Sequence, residues 1–471
     1  MRSYFHTRFA AVALLCTIAV LPACAPSPFA FDPLESRPLL RDLPRHSSPS
    51  QPDGKPYNRI QTPTSGELSL RDALAAALIR NPRLHAAAWG PRLEEAKRLQ
   101  AGLLPNPEVG VEFENFAGSG ELSGADSLET TIVLSQLIEL GDKRELRVDV
   151  AEEAWQVSAL DYEAQRLSAL VETAARFVRV LEIQQRVAFA ERARDLAEEN
   201  RRVIDQRVKA GDVSPIDEIK ARLESESGRI TTERLKRELE AARRNLSAMW
   251  DEDEPGFTTA VGSLTAIREV PPLKVLSEQV DEHPEVQRWV AESERRSKSV
   301  DLAKAQSVRD VTAELGVRYM NDVDDGALVG SISVPLNVFD RNQAGILTAR
   351  LQAAQALDHA RALRRELATR LSREHGRLSA AYHEAKSIED ALLPAARDAY
   401  EATHRAYKEG KTAYLGVLDA QRTLFETESQ HLAALSEYHA ALVQVEGLIS
   451  SPLPTITTDL LTTPPTKGDT P

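Results

Sequence analysis

From Asp142 to Ala210 the chain contains neither glycine nor proline, 69 consecutive residues without a helix breaker. As one α-helix such a run is roughly 100 Å long, several times a bilayer core of ~30 Å. Helices in globular proteins average about three turns, so a helix of this length is a spacer or the wall of a tube. Its apolar residues recur every seven: Val157, Leu160, Ala164, Leu167, Val171, Ala174, Val178 and Leu181. This is the a/d pattern of a left-handed coiled coil, with alanines small enough to let helices approach closely. Leu371, Leu378, Ala385, Leu392, Ala399 and Ala406 carry the same spacing later in the chain, across Pro394, where a kink is expected.

The chain uses one unit twice. Pro82 and Pro284 stand 202 residues apart, as do Val109 and Val311; Gly211 and Gly410 stand 199 apart, as do Ala221 and Ala420. Length alone suggests about three domains, but the repeat reads instead as two copies, residues 67–255 and 256–450. Each copy also holds two strand patterns. Val109, Val111 and Phe113 alternate with Gly110, Glu112 and Glu114, and Leu128, Thr130, Ile132 and Leu134 share one face. In the second copy Val311, Ala313, Leu315, Val317 and Tyr319 alternate with Thr312, Glu314, Gly316 and Arg318; Leu328, Gly330, Ile332 and Val334 follow. The strands are expected at about 107–116, 127–137, 310–320 and 327–337, joined by loops rich in Gly, Ser and Asp at 117–126 and 321–326. Strands of about ten residues, apolar on one face only, suit a transmembrane β-barrel or a small sheet packed on helices. Four strands cannot close a barrel, and open edges are not tolerated in lipid. Membrane strands here require several chains to share one barrel, and three would supply twelve strands.

The ends read differently. Arg2 and Arg8 precede an apolar run, Ala10 to Val20, too short to span a bilayer, and Leu21-Pro22-Ala23-Cys24 follows. Residues 1–23 are expected to be an export signal; small residues before Cys24 resemble a bacterial lipobox, which implies lipid on Cys24. Cys16 is the other cysteine, so the processed chain has no disulfide framework and no thiolate metal site. Nine prolines make residues 24–66 a strap or tether, and five more mark the tail 451–471. Removing the signal leaves 56 basic and 71 acidic residues, a balance that excludes a nucleic-acid partner. No Walker-type lysine loop, no H-E-x-x-H and no histidine pair at i, i+4 occurs. Glu401-x-x-His404 stands alone, whereas a helical di-iron site needs two such motifs and two further glutamates. No enzyme and no cofactor are expected.

From about Gly66 to Ile449 the chain resembles the TolC-type outer-membrane factors. The likeness rests on Leu68-Ser69-Leu70-Arg71-Asp72-Ala73-Leu74 with Asn81-Pro82, and on the Gly211 and Gly410 turns. Leu134 to Arg144 (LSQLIELGDKR) resembles the corresponding stretch of the CzcC-like heavy-metal branch. The resemblance implies a mainly α fold with a small transmembrane β part. Three protomers would build a twelve-stranded barrel above an α-helical periplasmic tunnel. It implies a homotrimer anchored in outer-membrane lipid, partnered by a periplasmic adaptor and an inner-membrane resistance-nodulation-division pump, exporting heavy-metal cations. A drug or xenobiotic duct of the same family and a pore-free coiled-coil lipoprotein scaffold are the alternatives. Glu112, Glu114 and Glu314 are expected on the lumen face, where trimerisation would make acidic rings that favour cations. The turns at Gly211 and Gly410 would dock the adaptor. Asp217 and Asp419 are the candidate gate; Asp419 matches one of the family's two gate aspartates, while Gly416 replaces the other.

Overall fold

The computed structural model describes residues 66–451 apart from 123, 124 and 212 and the side chain of Glu121. The signal, Cys24, the strap up to residue 65 and the tail from 452 lie outside the described residues.

The same order of elements runs through each half. In the first, β1 (Gly66–Ser69) leads through α1 (Leu70–Arg80), α2 (Pro82–Ala87) and α3 (Trp89–Ala101) to β2 (Glu108–Glu114) and β3 (Glu129–Ile138). Two long helices close that half, α4 (Lys143–Lys209) and α5 (Pro215–Ser247). In the second, β4 (Phe257–Val261) leads through α6 (Leu273–Ser277) and α7 (Pro284–Ala305) to β5 (Val311–Met320) and β6 (Asp325–Ser333). It then continues as α8 (Gln343–Ser387), a π-turn (Ile388–Leu392), α9 (Leu393–Lys408) and α10 (Tyr414–Ile449). β1 and β4 pair in parallel and bring the starts of the halves together.

Local chemistry sets the boundaries. The Ser69 hydroxyl accepts from the Asp72 amide, and the Asp72 carboxylate accepts from the Ser69 amide, a capping box that starts α1. Pro82 and Pro284 open α2 and α7, where a missing N–H costs nothing. The residue before each proline caps the helix: Asn81 Oδ1 accepts from the amides of Arg83 (2.9 Å) and Leu84 (3.2 Å), and His283 Nδ1 from that of Glu285 (3.2 Å).

The core sits midway along the long helices. Phe177, Val180 and Leu181 of α4 pack with Leu74 and Leu78 of α1, Leu246 of α5, Trp250 and Phe257. A second cluster joins Leu371, Leu378 and Ala381 of α8 to Tyr438, Leu442 and Val445 of α10. The α4 heptad residues are all buried or half-buried, but so are Ala169, Leu170, Val180 and Ile183 beside them. A coiled-coil seam is narrower than this; α1, α2 and β4 cover the additional faces of α4.

The second half corrects the expected heptad. Leu367, Leu371, Glu374, Leu378, Ala381, Ala385 and Ile388 are buried in strict 4-3 alternation. The next positions of that series are Leu392, Ala395, Ala399 and Ala402, and all four are exposed. Leu393 and Ala396 are buried instead, one residue later. The π-turn is the cause: the Leu393 amide donates to the Ile388 carbonyl, five residues back, which accommodates one extra residue. Pro394 is the reason for the turn, because it has no N–H and its ring would strike the carbonyl four residues back. The chain therefore answers Pro394 with a phase shift.

β2, β3, β5 and β6 form one antiparallel sheet in that order. Helices follow the same sequence of neighbours. Arg98 of α3 pairs with Glu152 of α4, Lys298 of α7 with Asp149 of α4 (2.9 Å), and Arg296 of α7 with Gln352 of α8 (2.8 Å). β6 ends at Ser333, short of the expected 337, where Pro335 cannot donate to a ladder. No helix among the described residues is long and apolar enough to cross a membrane.

Candidate functional site

Cross-strand register divides the sheet into two chemically opposite faces. On one, Val111, Ile132, Val317 and Leu328 lie in line across the four strands, and Val109, Leu134, Leu315 and Gly330 form another such row. These large side chains are exposed, Leu328 by 81% and Leu315 by 66%. Among the described residues nothing covers them, and β2 and β6 leave both edges of the sheet unpaired.

The opposite face is polar. Glu108, Ser135, Glu314 and Ser331 share one row, and Glu112, Thr131, Arg318 and Ala327 another. Glu314 accepts from Ser331 at 2.8 Å and lies 3.5 Å from the Ser135 hydroxyl. Arg318 joins three strands: it pairs with Glu114 of β2 at 2.8 Å and with Glu129 of β3 at 2.9 Å, and donates to Thr131 Oγ1 at 2.9 Å. Glu112, Glu114 and Glu314 thus lie on one face. Glu114 shares Arg318 with Glu129, whereas Glu112 and Glu314 carry no ion pair among the described residues. Alternation places Arg318 on this face, but its three partners emerge only from strand register.

The stretch Leu134 to Arg144 is the joint between β3 and α4. Gln136 Nε2 donates to the Pro105 carbonyl at 3.0 Å and holds the lead-in to β2. Glu139 takes a two-point bond from Arg147, which holds its carboxyl below the ordinary carboxylate range. Gly141 has φ +73°, and a Cβ there would lie 3.1 Å from Val308. Buried Lys143 reaches Asp310 of the second half at 2.7 Å, and Asp310 also accepts from the Leu140 amide at 2.9 Å. The motif therefore fixes where the helix leaves the sheet.

At the far end, α4 turns into α5 and α9 into α10. Gly211 and Gly410 each take positive φ, +80° and +73°, and their amides donate to Val208 and Tyr407 carbonyls at 3.0 Å. This is a glycine helix stop, used twice. Ile204, Ala221, Tyr414 and Val417 form a small core beneath the turns. Burial, followed by the neighbouring Tyr407, pushes the Tyr414 hydroxyl up to about 12. Arg207 of α4 donates to the Tyr407 hydroxyl at 2.6 Å and lies 5.0 Å from its ring centre, tying the first half to the second.

Asp217 sits in the first turn of α5, its carboxylate 3.9 Å from Lys220. Asp419 is exposed in the second turn of α10, and its carbonyl accepts from Thr423. Counting from the helix starts, Asp217 corresponds to Gly416. A Cβ at Gly416 would lie 3.2 Å from Thr412 Oγ1 and 3.6 Å from Thr403 of α9. His404 of the solitary E-x-x-H stacks on Tyr400. Among the described residues no group of His, Cys, Asp and Glu could hold a metal ion.

Comparison with known proteins gives a consistent picture. Residues 73–252 and 275–451 match the family model described as outer membrane efflux protein. The cobalt-zinc-cadmium resistance protein CzcC of Cupriavidus metallidurans is 31% identical over 385 residues, 82% of this chain and 90% of that protein. The nickel and cobalt resistance protein CnrC of the same organism is 25% identical over 291 residues, 61% of this chain and 67% of that protein. A membrane protein from Pseudomonas aeruginosa shares the fold at a TM-score of 0.69 and 18% identity, covering 86% of this chain and 99% of that one. The channel CusC does so at 0.68 and 16%, covering 87% and 99%.

Proposed function

Because the chain belongs to the outer membrane efflux protein family, we propose that it is the outer-membrane channel of a tripartite efflux pump. Three copies close their sheets edge to edge into a twelve-stranded barrel, and the long helices form a tunnel into the periplasm. A periplasmic adaptor and an inner-membrane resistance-nodulation-division pump complete the path, and Cys24 carries a lipid anchor. The carrying observation is the sheet itself: an exposed apolar face with two edges open among the described residues suits lipid and a neighbouring copy, not water.

Divalent metal cations are the proposed cargo. Support comes from the names of the relatives and from Glu112 and Glu314 on the polar face, which becomes the lumen once the apolar face meets lipid. The Gly211 and Gly410 turns are the proposed adaptor contact, and Asp217 and Asp419 the proposed gate. Purified full-length protein in planar bilayers tests this reading. A small cation-selective conductance that rises on Asp419→Asn supports it. Failure to insert would leave a coiled-coil scaffold.

A further inference from the structure

We propose that the apolar band of the sheet runs past its last ladder bond, so that Val334, Leu336 and Val338 of the β6–α8 joint lie among phospholipid acyl chains of the periplasmic leaflet. The proposal rests on the channel reading above and fixes how far down the protein the membrane reaches.

The outer limit of the band is set by one row. Phe113, Thr130, Tyr319 and Gly326 form the outermost row of the apolar face. The Tyr319 hydroxyl donates to Asp324 there, as a tyrosine at a membrane–water interface does. From that row β6 stays paired over seven further residues, to Ser333. At about 3.4 Å per residue and a tilt of about 40°, the ladder covers only about 18 Å of a band that is about 25 Å tall in outer-membrane barrels. Counting on to Leu336 brings the depth to about 26 Å.

The residues beyond the ladder supply the difference. Apolar alternation continues through Val334, Leu336 and Val338, exposed by 50, 83 and 60%. On β3 the same alternation runs on through Ile138 to Leu140, as far below Thr130 as Leu336 is below Gly326. Charge then returns on both joints, at Asp142, Lys143 and Arg144 and at Asp340 and Arg341. The β6–α8 joint is also firmly held. Asn337 donates to the Ser307 carbonyl and accepts from Arg309, which donates to the Asp340 carbonyl at 2.6 Å. These polar groups are engaged with the α7–β5 joint, while the three apolar side chains stay exposed.

The repeat distinguishes lipid from a neighbouring copy. Counted from the left-handed residues Asp142 and Asn342, Val338 corresponds to Ile138. β3 already has a partner on each side, β2 and β5, and Ile138 and Leu140 remain exposed. A next copy beside β6 completes the same surroundings for Val338 and leaves it facing outward. Leu336 corresponds to Gln136, which reaches the Pro105 carbonyl; a leucine has no such bond to make. Phe339 corresponds to Glu139, half-buried against Arg147, and is no part of the proposed contact.

Depth measurements test this, since residues 66–451 contain no cysteine to interfere. Full-length single variants Leu328→Cys, Leu336→Cys, Val338→Cys and Lys411→Cys each carry a nitroxide and are placed in phosphatidylethanolamine–phosphatidylglycerol vesicles. Relative to a water-soluble nickel chelate, oxygen is expected to reach the nitroxides at 328, 336 and 338 several-fold more than the one at 411, beside the far turn. Water-like ratios at 336 and 338 beside a lipid-like 328 would end the membrane at the ladder and overturn the inference. Exclusion of both reagents at 336 and 338 would put a neighbouring copy there and overturn it too. In either case the channel stands. A water-like ratio at 328 would remove the channel reading as well.

Discussion

α4 and its counterpart in the second half have nearly the same length, 67 residues for α4 against an unbroken helical path from Gln343 to Lys408. They solve the same packing problem differently. α4 keeps one phase and is covered on several sides by the elements of the central core. The second path keeps phase only to Ile388, changes it at the π-turn, and shows its former inner stripe to the outside below. Heptad spacing thus states that a stripe exists; which surface it meets depends on a single inserted residue.

Truncating the core is expected to separate the two phases most clearly. Leu378→Ala and Leu393→Ala should each cost about 2–5 kcal/mol in urea unfolding of the solubilised protomer. Leu392→Ala, one residue away, should cost only about 0.5 kcal/mol there, as exposed positions do. Equal losses at 392 and 393 would mean that the phase does not change. Transplanting the proline comes next. Asp195→Pro, at the position of α4 equivalent to Pro394, should cost about 3 kcal/mol or more because α4 has no π-turn to receive it. Pro394→Ala should be close to neutral in the same melts.

Acid should loosen the second half first. His439 of α10 is fully buried, its Nε2 donating to the Leu264 carbonyl at 2.9 Å, and burial lowers its pKa to about 4. Its counterpart in α5, Glu240, is exposed. A depressed histidine pKa stabilises the fold fully above the unfolded value near 6.5; that contribution is lost as pH falls through about 4, about 3 kcal/mol in all. His439→Gln should flatten the fall in melting temperature across that window. An identical pH slope in the variant would clear His439 of the effect. The smallest effect concerns the tie between the two long paths. Tyr407→Phe keeps the ring beneath Arg207 but loses the hydrogen bond, about 1 kcal/mol. A modest rise in open probability in bilayers beside that small loss of stability would place the bond at the gate, and an unchanged open probability would leave it a structural tie only.

Much of this was legible in residues alone. The Gly/Pro-free run marks α4, alternation marks four strands and their apolar faces, and Gly211 and Gly410 mark the turns. Pro394 flagged the irregularity, but sequence could not say whether the helix would bend or take up a residue. Arg318 was visible as a member of the polar face, yet its pairing with Glu114 and Glu129 depends on strand register across 200 residues. The stretch from Leu134 to Arg144 was recognisable as a signature before its role as a joint was apparent, because Asp310 and Val308 come from the other half.

Each strand of the sheet continues directly into or out of a helix, and strands and helices share one neighbour order. Their widths disagree. Three strand-to-strand steps take about 14 Å, whereas three helix-to-helix steps along the same line take about 27 Å. The connecting segments must fan the chain out over that difference, and the residues just before α4 and α8, Asp142 and Asn342, both have left-handed backbone. Deletions should accordingly be borne worse in these short splaying segments than in the loops at the opposite end of the sheet.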